Sequence, residues 1–232
     1  MKIRICIAIP AETFSDLVPM VRRAEDAGAD LAEIRLDYMT SGASRNMDRL
    51  KKLVEQSRIP LIATNRQYEQ GGHCSQDEEQ RVKTLVKAAE IGFQYVDIEL
   101  TTPRLEQTIE KIREYKAEPI VSLHDFDETP AVTEMEKTIK TQIKAGAEVC
   151  KLATTANDIE DNVRCMLVAR KMSGITKVVC FAMGKKGVLS RALSPFFGAY
   201  FTYASLEDNL GTASGQMSIA KLRNLYERLG VN

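Results

Sequence analysis

Short apolar, β-branched runs alternate with longer helical patterns from one end of this chain of 232 residues to the other. The alternation predicts eight successive strand–helix units. Because a helical crossover returns the chain in the same direction, the strands must form a parallel sheet. The predicted strands are 3–9, 31–38, 60–65, 94–100, 118–124, 147–153, 177–183 and 200–205.

The patterns between these strands predict helices that end at glycine, the residue that most readily adopts the left-handed backbone after a helix. Eight units with no break in composition favour a single domain over residues 1–232, folded as a (β/α)8 TIM barrel. The alternative is an open doubly wound sheet, which would usually carry a glycine-rich nucleotide turn after its first strand. Here Pro10, Ala11 and Glu12 occupy that turn. The clearest predicted helices are 13–27, 76–91, 132–145 and 158–172.

Composition excludes several classes of partner. The 32 Lys and Arg balance the 32 Asp and Glu, so no net charge favours nucleic acid or an anionic membrane. No apolar run approaches the roughly 20 residues of a membrane-spanning helix, and the charged N-terminus predicts a strand rather than a signal peptide. The five Cys form no C-x-x-C pair and fall largely in apolar runs, which indicates reduced thiols. We therefore expect a cytoplasmic protein.

Lys151 is a lone cation within the otherwise apolar, strand-like run 148–154. At an inward-facing position it would lose its hydration, which disfavours the ammonium form. A neutral amine attacks a ketone and forms a Schiff base, so this position is a candidate for covalent catalysis. The alternative is a lysine near a strand end that simply reaches solvent.

Catalytic residues of barrel enzymes come from the C-terminal ends of the strands. His124 ends the fifth predicted strand, beside the strand that carries Lys151, and an imidazole can transfer protons near neutral pH. The other histidine, His73, lies on a glycine-flanked loop and is interpreted as incidental, and two histidines without ligand spacing argue against a metal site. The predicted strand ends are Asp37, Arg66, Glu99, His124, Lys151 and Met183.

Charged and apolar residues alternate in the second and fourth predicted strands. A parallel barrel strand has no solvated face, so charges that point inward must be paired or must serve a ligand. Arg35 is expected to pair with Glu33 or Asp97. Glu33 either contacts a substrate or acts only as a pairing partner.

Two segments are distinctive: SLHDF at 122–126 and MGKKGVLSR at 183–191. Together with EIRLD at 33–37, Lys151 and the Gly-Gln pair at 215–216, they resemble the type I 3-dehydroquinate dehydratase family, in that family's order and over nearly the whole chain. The resemblance implies a (β/α)8 barrel, often homodimeric. It also implies dehydration of 3-dehydroquinate to 3-dehydroshikimate in the shikimate pathway of aromatic amino acid biosynthesis, with no metal or nucleotide cofactor.

The resemblance further implies a role for each matching residue. Lys151 would form the Schiff base, His124 would transfer protons, and Glu69 would orient His124. Arg191 would bind the substrate carboxylate. The full set of implied substrate-binding residues is Glu33, Arg35, Arg66, Arg191, Thr212 and Gln216.

The chain departs from the family pattern at two positions. Thr212 stands where the family usually has a serine, four residues before Gln216. The family acid directly precedes the Gly-Gly pair, whereas here Gln70 separates Glu69 from Gly71. The Glu69 assignment depends on this shift of one residue.

Two other functions also fit the residues. The loop 184–187 follows the seventh strand, where barrels often bind phosphate, so a Schiff-base class I aldolase acting on a sugar phosphate is one alternative. A non-catalytic ligand-binding barrel is the other. The polar segment 206–216 is interpreted as a mobile lid, with an ordinary surface loop as its alternative.

Overall fold

A computed structural model describes residues 3–40, 46–74, 76–208 and 215–231. In these parts of the chain, eight strands pair in parallel in the order β7-β6-β5-β4-β3-β2-β1-β8. The predicted fold class, a (β/α)8 barrel, is confirmed. The strands are β1 (Ile5–Ile9), β2 (Leu31–Arg35), β3 (Leu61–Thr64), β4 (Tyr95–Glu99), β5 (Glu118–His124), β6 (Val149–Thr155), β7 (Lys177–Met183) and β8 (Thr202–Ala204).

A helix follows each strand and packs on the outside of the sheet. The predicted glycine stops are present: Gly92 and Gly146 follow their helices with φ angles of 104° and 99°, which disfavour any residue with a side chain. The helices are α1 (Phe14–Asp26), α2 (Met47–Gln56), α3 (Glu78–Glu90), α4 (Leu105–Glu114), α5 (Val132–Lys144), α6 (Glu160–Met172), α7 (Val188–Leu193) and α8 (Ile219–Arg228).

The barrel is nearly closed. β8 pairs with β1, but no strand ladder joins β7 to β8 among the residues described. A main-chain hydrogen bond from Tyr200 N to Val178 O, 2.7 Å long, spans the gap. Around almost the whole barrel, each strand therefore pairs with its neighbours in a defined register.

The barrel interior changes from apolar to polar along the strands. One inward-facing residue from each of β2 to β6 contributes to an apolar floor. Two residues further along each strand, the inward side chains are polar or charged. The floor residues are Leu31, Ile62, Tyr95, Ile120 and Val149, and the residues above them are Glu33, Thr64, Asp97, Ser122 and Lys151.

The described helices include none that is both long and apolar enough to cross a lipid bilayer.

Candidate active site

Lys151 lies inside the barrel with 3% of its surface exposed. It is the third residue of β6, which continues to Thr155, so the prediction that it ends its strand is wrong. Its Nζ donates to Oδ2 of Asp97 at 2.8 Å and lies 3.5 Å from Oε2 of Glu33. The lysine nitrogen therefore lies between two buried carboxylates and not against the apolar surroundings that the sequence predicted. The Tyr203 ring, with its centroid 4.6 Å from Nζ, covers the remaining side.

Asp97 connects the charges at the bottom of the site. Its Oδ1 accepts from Ser122 Oγ at 2.6 Å and lies 2.9 Å from Nη2 of Arg66, while Oδ2 accepts from Lys151. Burial opposes ionisation, but Arg66 and Lys151 overcome it and hold the pKa of Asp97 well below its usual range. The alternating charges of the fourth predicted strand indicated an inward carboxylate here, but not that it would bind the lysine.

Arg66 is held in one position by a buried network. Its Nη1 donates to Glu99 Oε1 at 3.0 Å and to Ser122 Oγ at 2.7 Å. Arg81 lies 2.7 Å from the second oxygen of Glu99 and so orients that carboxylate from behind. Burial disfavours the charge of Arg66, yet Asp97 and Glu99 raise its pKa. The guanidinium therefore reaches the pocket in a fixed, charged state.

The alternation of charges suggested that Arg35 pairs with Glu33 or Asp97, but the structure shows neither pair. Its Nε and Nη2 donate to the two carboxylate oxygens of Asp37 at 2.9 and 2.6 Å, just after β2 ends. The Tyr38 ring lies under the guanidinium, 4.8 Å from its carbon. Arg35 thus faces the pocket while Asp37 compensates its charge. Glu33 pairs with Lys151 instead.

His124 ends β5, as predicted, and its main chain pairs in register with Ala153 of β6. The imidazole therefore stands one layer above Lys151, on the neighbouring strand. Its Nδ1 is buried and has no hydrogen-bond partner within the described parts of the chain. Burial, with Arg66 and Lys151 nearby, lowers the pKa of His124 well below its usual value. The ring is consequently uncharged at neutral pH.

The structure corrects the position predicted for Glu69. Glu69 is exposed on the outside of the turn and does not line the pocket. Gln70 faces inward instead: its Oε1 accepts from the main-chain N–H of His124 at 2.8 Å, and its Nε2 donates to the main-chain oxygen of His124 at 3.4 Å. The one-residue shift noted in the sequence thus places an amide, and not a carboxylate, beside His124.

Arg191 is a buried cation that no described residue neutralises. Only 3% of it is exposed, and its Nε and Nη2 have no hydrogen-bond partner in the described regions. The guanidinium stacks over the Phe181 ring at 4.3 Å. Burial lowers the pKa of Arg191 to about 10, so it remains charged at neutral pH. An uncompensated buried guanidinium with free donors is suited to bind an anion, in particular a planar carboxylate.

A tight turn after β7 brings Arg191 to the pocket. Gly187 packs so closely that a Cβ there would lie 2.3 Å from the oxygen of Ala182. Ser190 Oγ accepts from the N–H of Ala182, and the N–H of Ser190 donates to Asn162 Oδ1, both at 2.9 Å. These contacts fix the first turn of α7 and therefore the origin of the Arg191 side chain.

Most of the predicted site residues meet in one pocket at the C-terminal ends of the strands. Thr212 and most of the predicted lid, 206–216, lie outside the described residues, and His73 lies outside the pocket. Sequence reasoning missed Gln70, Phe126, Phe181 and Tyr203 as lining residues. Phe126 and Gln70 had a signal, since Phe126 lies within the distinctive segment 122–126 and Gln70 directly precedes the Gly-Gly pair. The predicted residues that line the pocket are Glu33, Arg35, Arg66, His124, Lys151, Met183, Arg191 and Gln216.

No group of three or more His, Cys, Asp or Glu in the described ranges is arranged to hold a metal ion.

The model of the type I 3-dehydroquinase family matches residues 5–232. The chain belongs to this family. It is 36% identical over 199 residues to the 3-dehydroquinate dehydratase of Dehalococcoides mccartyi, covering 86% of each chain. It is 32% identical over 229 residues to that of Methanothermobacter thermautotrophicus, covering 99% of this chain and 98% of the relative. The prediction of a type I 3-dehydroquinase, a hydro-lyase, is confirmed.

Solved structures of 3-dehydroquinate dehydratases share the fold. That from Geobacillus kaustophilus superposes with a TM-score of 0.92 at 22% identity, over 99% of this chain and 92% of the other. A deoxyribose phosphate aldolase from Aeropyrum pernix superposes less well, with a TM-score of 0.63 at 17% identity, over 98% and 90% of the two chains. These likenesses concern the barrel alone.

Proposed function

We propose that this type I 3-dehydroquinase dehydrates 3-dehydroquinate to 3-dehydroshikimate through a Schiff base on Lys151. The observation that carries the proposal is the shared pocket of an amine, an uncharged imidazole and an unpaired guanidinium, supplied by Lys151, His124 and Arg191. A cyclic keto acid offers a matching group to each: a carbonyl carbon, an acidic C–H and a carboxylate.

Arg191 would bind the substrate carboxylate. Its planar fork makes two parallel hydrogen bonds with a carboxylate, and a buried ion pair of this kind would satisfy the donors Nε and Nη2. Gln216 lines the same pocket and would assist from the last loop, as would Thr212.

The ring hydroxyls would contact the charged residues above the apolar floor. Arg35 and Arg66 are already oriented by carboxylates, so they would offer donors without further reorganisation. Glu33, 3.5 Å from the lysine nitrogen, would accept from a hydroxyl or remain its pairing partner.

The reaction would begin with transfer of a proton from the Lys151 ammonium. Glu33, 3.5 Å from Nζ, would accept this proton, since Arg66 and Lys151 hold the pKa of Asp97 too low for Asp97 to do so. The neutral nitrogen then adds to the carbonyl carbon to give a carbinolamine. The proton taken from the ammonium returns to the carbinolamine hydroxyl, which leaves as water, and an iminium remains. The positive nitrogen acts as an electron sink for the next step.

His124 would then remove a proton from the carbon beside the iminium. The electron pair forms an enamine, which expels the β-hydroxyl, and the imidazolium returns its proton to that leaving group as water. General acid–base catalysis of this kind contributes ~10²–10⁴-fold. Hydrolysis of the iminium by a second water restores the amine and releases the unsaturated product.

The loop that suggested a sugar phosphate does not line the pocket. Lys185 and Lys186 are exposed, and Lys186 Nζ donates to the main-chain oxygen of Asn157 at 2.7 Å. No contact of this loop therefore favours the aldolase over the dehydratase.

Reduction with borohydride tests the proposal. When borohydride is added together with 3-dehydroquinate, mass spectrometry of the digested protein should locate a covalent adduct on Lys151. Without borohydride, the absorbance of the unsaturated product should increase. Adduct formation with a panel of sugar phosphates, and not with 3-dehydroquinate, would favour the aldolase. Ligand binding without any adduct would favour a non-catalytic barrel.

We also propose that the protein is a cytoplasmic homodimer. The family resemblance supports the dimer, and the five free thiols support a reducing compartment. Light scattering during size-exclusion chromatography should give twice the mass of one chain. A mass equal to one chain would contradict the dimer.

A further inference from the structure

Gln70 stands on a rigid turn that faces His124. It ends a short 3-10 turn (Tyr68–Gln70), and Gly71 follows with a φ angle of 76°. A Cβ on Gly72 would lie 2.0 Å from the oxygen of Arg66, so this turn packs directly against the chain after β3. The side chain of Gln70 is therefore presented to β5 from a fixed base.

The contact between Gln70 and His124 involves both hydrogen-bonding groups of the amide. One accepts from the main-chain N–H of His124 at 2.8 Å, and the other donates to its main-chain oxygen at 3.4 Å. β5 ends at His124, so its last main-chain groups need partners from outside the sheet. Gln70 supplies them and fixes the strand end from which the imidazole projects.

The imidazole itself faces more positive than negative charge. Three cations approach the ring: Arg35 from β2, Arg66 from the segment after β3, and Lys151 from β6. Each disfavours the imidazolium. Asp97, on β4, favours it, but Asp97 is already bound to Arg66 and Lys151. Burial disfavours the imidazolium most of all, and a carboxylate at position 70 would oppose these effects, whereas the amide does not.

We propose that Gln70 is a positioning residue that fixes His124 through its main chain and, being uncharged, leaves the imidazole a neutral base with no carboxylate partner among the described residues. The inference rests on the proposed function, and it assigns to Gln70 the orienting role that the sequence had suggested for Glu69. Its consequence is that the base is ready for proton abstraction without first losing a proton to solvent.

Two variants separate positioning from charge. Gln70→Met keeps the length of the side chain but removes both hydrogen bonds, and should lower kcat by between about 10-fold and 100-fold with little change in KM. Gln70→Glu keeps an acceptor for the His124 N–H but adds a charge, and should move the acidic limb of the kcat/KM profile to higher pH. Glu69→Ala tests the competing assignment and should leave that limb in place. Gln107→Ala, on the exposed face of α4, is the matched control.

Nuclear magnetic resonance reports on the imidazole without turnover. The chain has two histidines, so a His73→Gln variant leaves a single labelled ring, that of His124. In this background the ring should titrate well below the usual range of a histidine, and adding Gln70→Glu should bring its titration to higher pH.

The results decide the inference independently of the proposed reaction. Wild-type kcat in Gln70→Met, or an unshifted ring titration in Gln70→Glu, would overturn it. If the wild-type protein did not convert 3-dehydroquinate, the proposed function would fail, while the ring titration would still show whether position 70 sets the charge of His124. A folding defect in Gln70→Met, detected by circular dichroism, would leave Gln70→Glu as the deciding variant.

Discussion

The side chains of Lys151 and Asp97 meet inside the barrel, with Nζ of one donating to Oδ2 of the other at 2.8 Å. They come from β6 and β4, and Ser122 of the intervening β5 donates to the other oxygen of the same carboxylate at 2.6 Å. Three consecutive strands are thus joined at the level where the covalent step is proposed. This carboxylate compensates the charge of the lysine directly.

Asp97→Asn should destabilise the protein strongly. The substitution leaves the buried cations Arg66 and Lys151 with less compensating charge, and breaking a buried pair in this way costs about 3–5 kcal/mol. Urea denaturation followed by circular dichroism measures the loss. Asp26→Asn is the matched control, because the Asp26–Arg58 pair is exposed and should contribute under about 1 kcal/mol. Equal losses in the two variants would contradict the role assigned to the network.

Lys151→Met should abolish adduct formation and turnover while the fold remains. Asp97 keeps its ion pair with Arg66 at 2.9 Å, so removal of the lysine does not leave Asp97 isolated, although Glu33 loses the lysine as its ion-pair partner. Borohydride trapping with mass spectrometry checks the adduct, and circular dichroism checks the fold. Turnover near the wild-type rate would show that no covalent lysine intermediate is formed.

Arg191→Met should stabilise the free protein and at the same time weaken substrate binding. It removes a buried cation whose Nε and Nη2 lack partners among the described residues, and such a charge is costly. Thermal denaturation should give a higher Tm, and KM should rise about 100-fold through loss of a charge-assisted bidentate contact. Arg191→Lys keeps a charge without the fork and should show an intermediate KM. A lower Tm in Arg191→Met would mean that the guanidinium is satisfied within the protein.

The stability of the protein should decline as pH falls below about 6.5. Burial, with help from Arg66 and Lys151, lowers the pKa of His124, so the folded state resists a proton that the unfolded chain accepts. The unfolded state therefore binds more protons in this window, and the free energy of unfolding falls by at most about 1.4 kcal/mol per pH unit. Urea denaturation at pH 7.5 and pH 5.5 measures the effect, and His124→Gln should reduce it. An unchanged pH dependence in His124→Gln would exclude this histidine as the cause.

A second loss of stability should appear below about pH 4. Burial opposes ionisation of Asp97, but Arg66 and Lys151 lower its pKa well below that of the unfolded chain. The stabilisation is therefore complete above the unfolded pKa and is lost as pH falls toward the folded one. Asp97→Asn should remove this acid-sensitive part of the unfolding free energy. Its persistence in that variant would assign it to other carboxylates.

The architecture could be predicted from the chain alone, because the periodicity of strands and helices is a local property that reflects which side chains become buried. Strand β5 and helix α5, for example, lie within one residue of the predicted 118–124 and 132–145. The sequence also located the chemistry at the strand ends, since residues such as His124 and Arg191 sit in distinctive segments. What periodicity conveys is the direction of a side chain, inward or outward, and not its partner.

Tertiary structure alone decided which charges pair and which residue orients the base. Arg35 bonds to Asp37 and not to Asp97, and Gln70 rather than Glu69 reaches His124. These choices depend on the stagger between strands and on how each turn leaves the barrel, and distances of this kind are set by the packing of the whole molecule. The one-residue shift before the Gly-Gly pair is visible in the sequence, but only the path of the turn decides that the amide of Gln70, and not the carboxylate of Glu69, reaches His124.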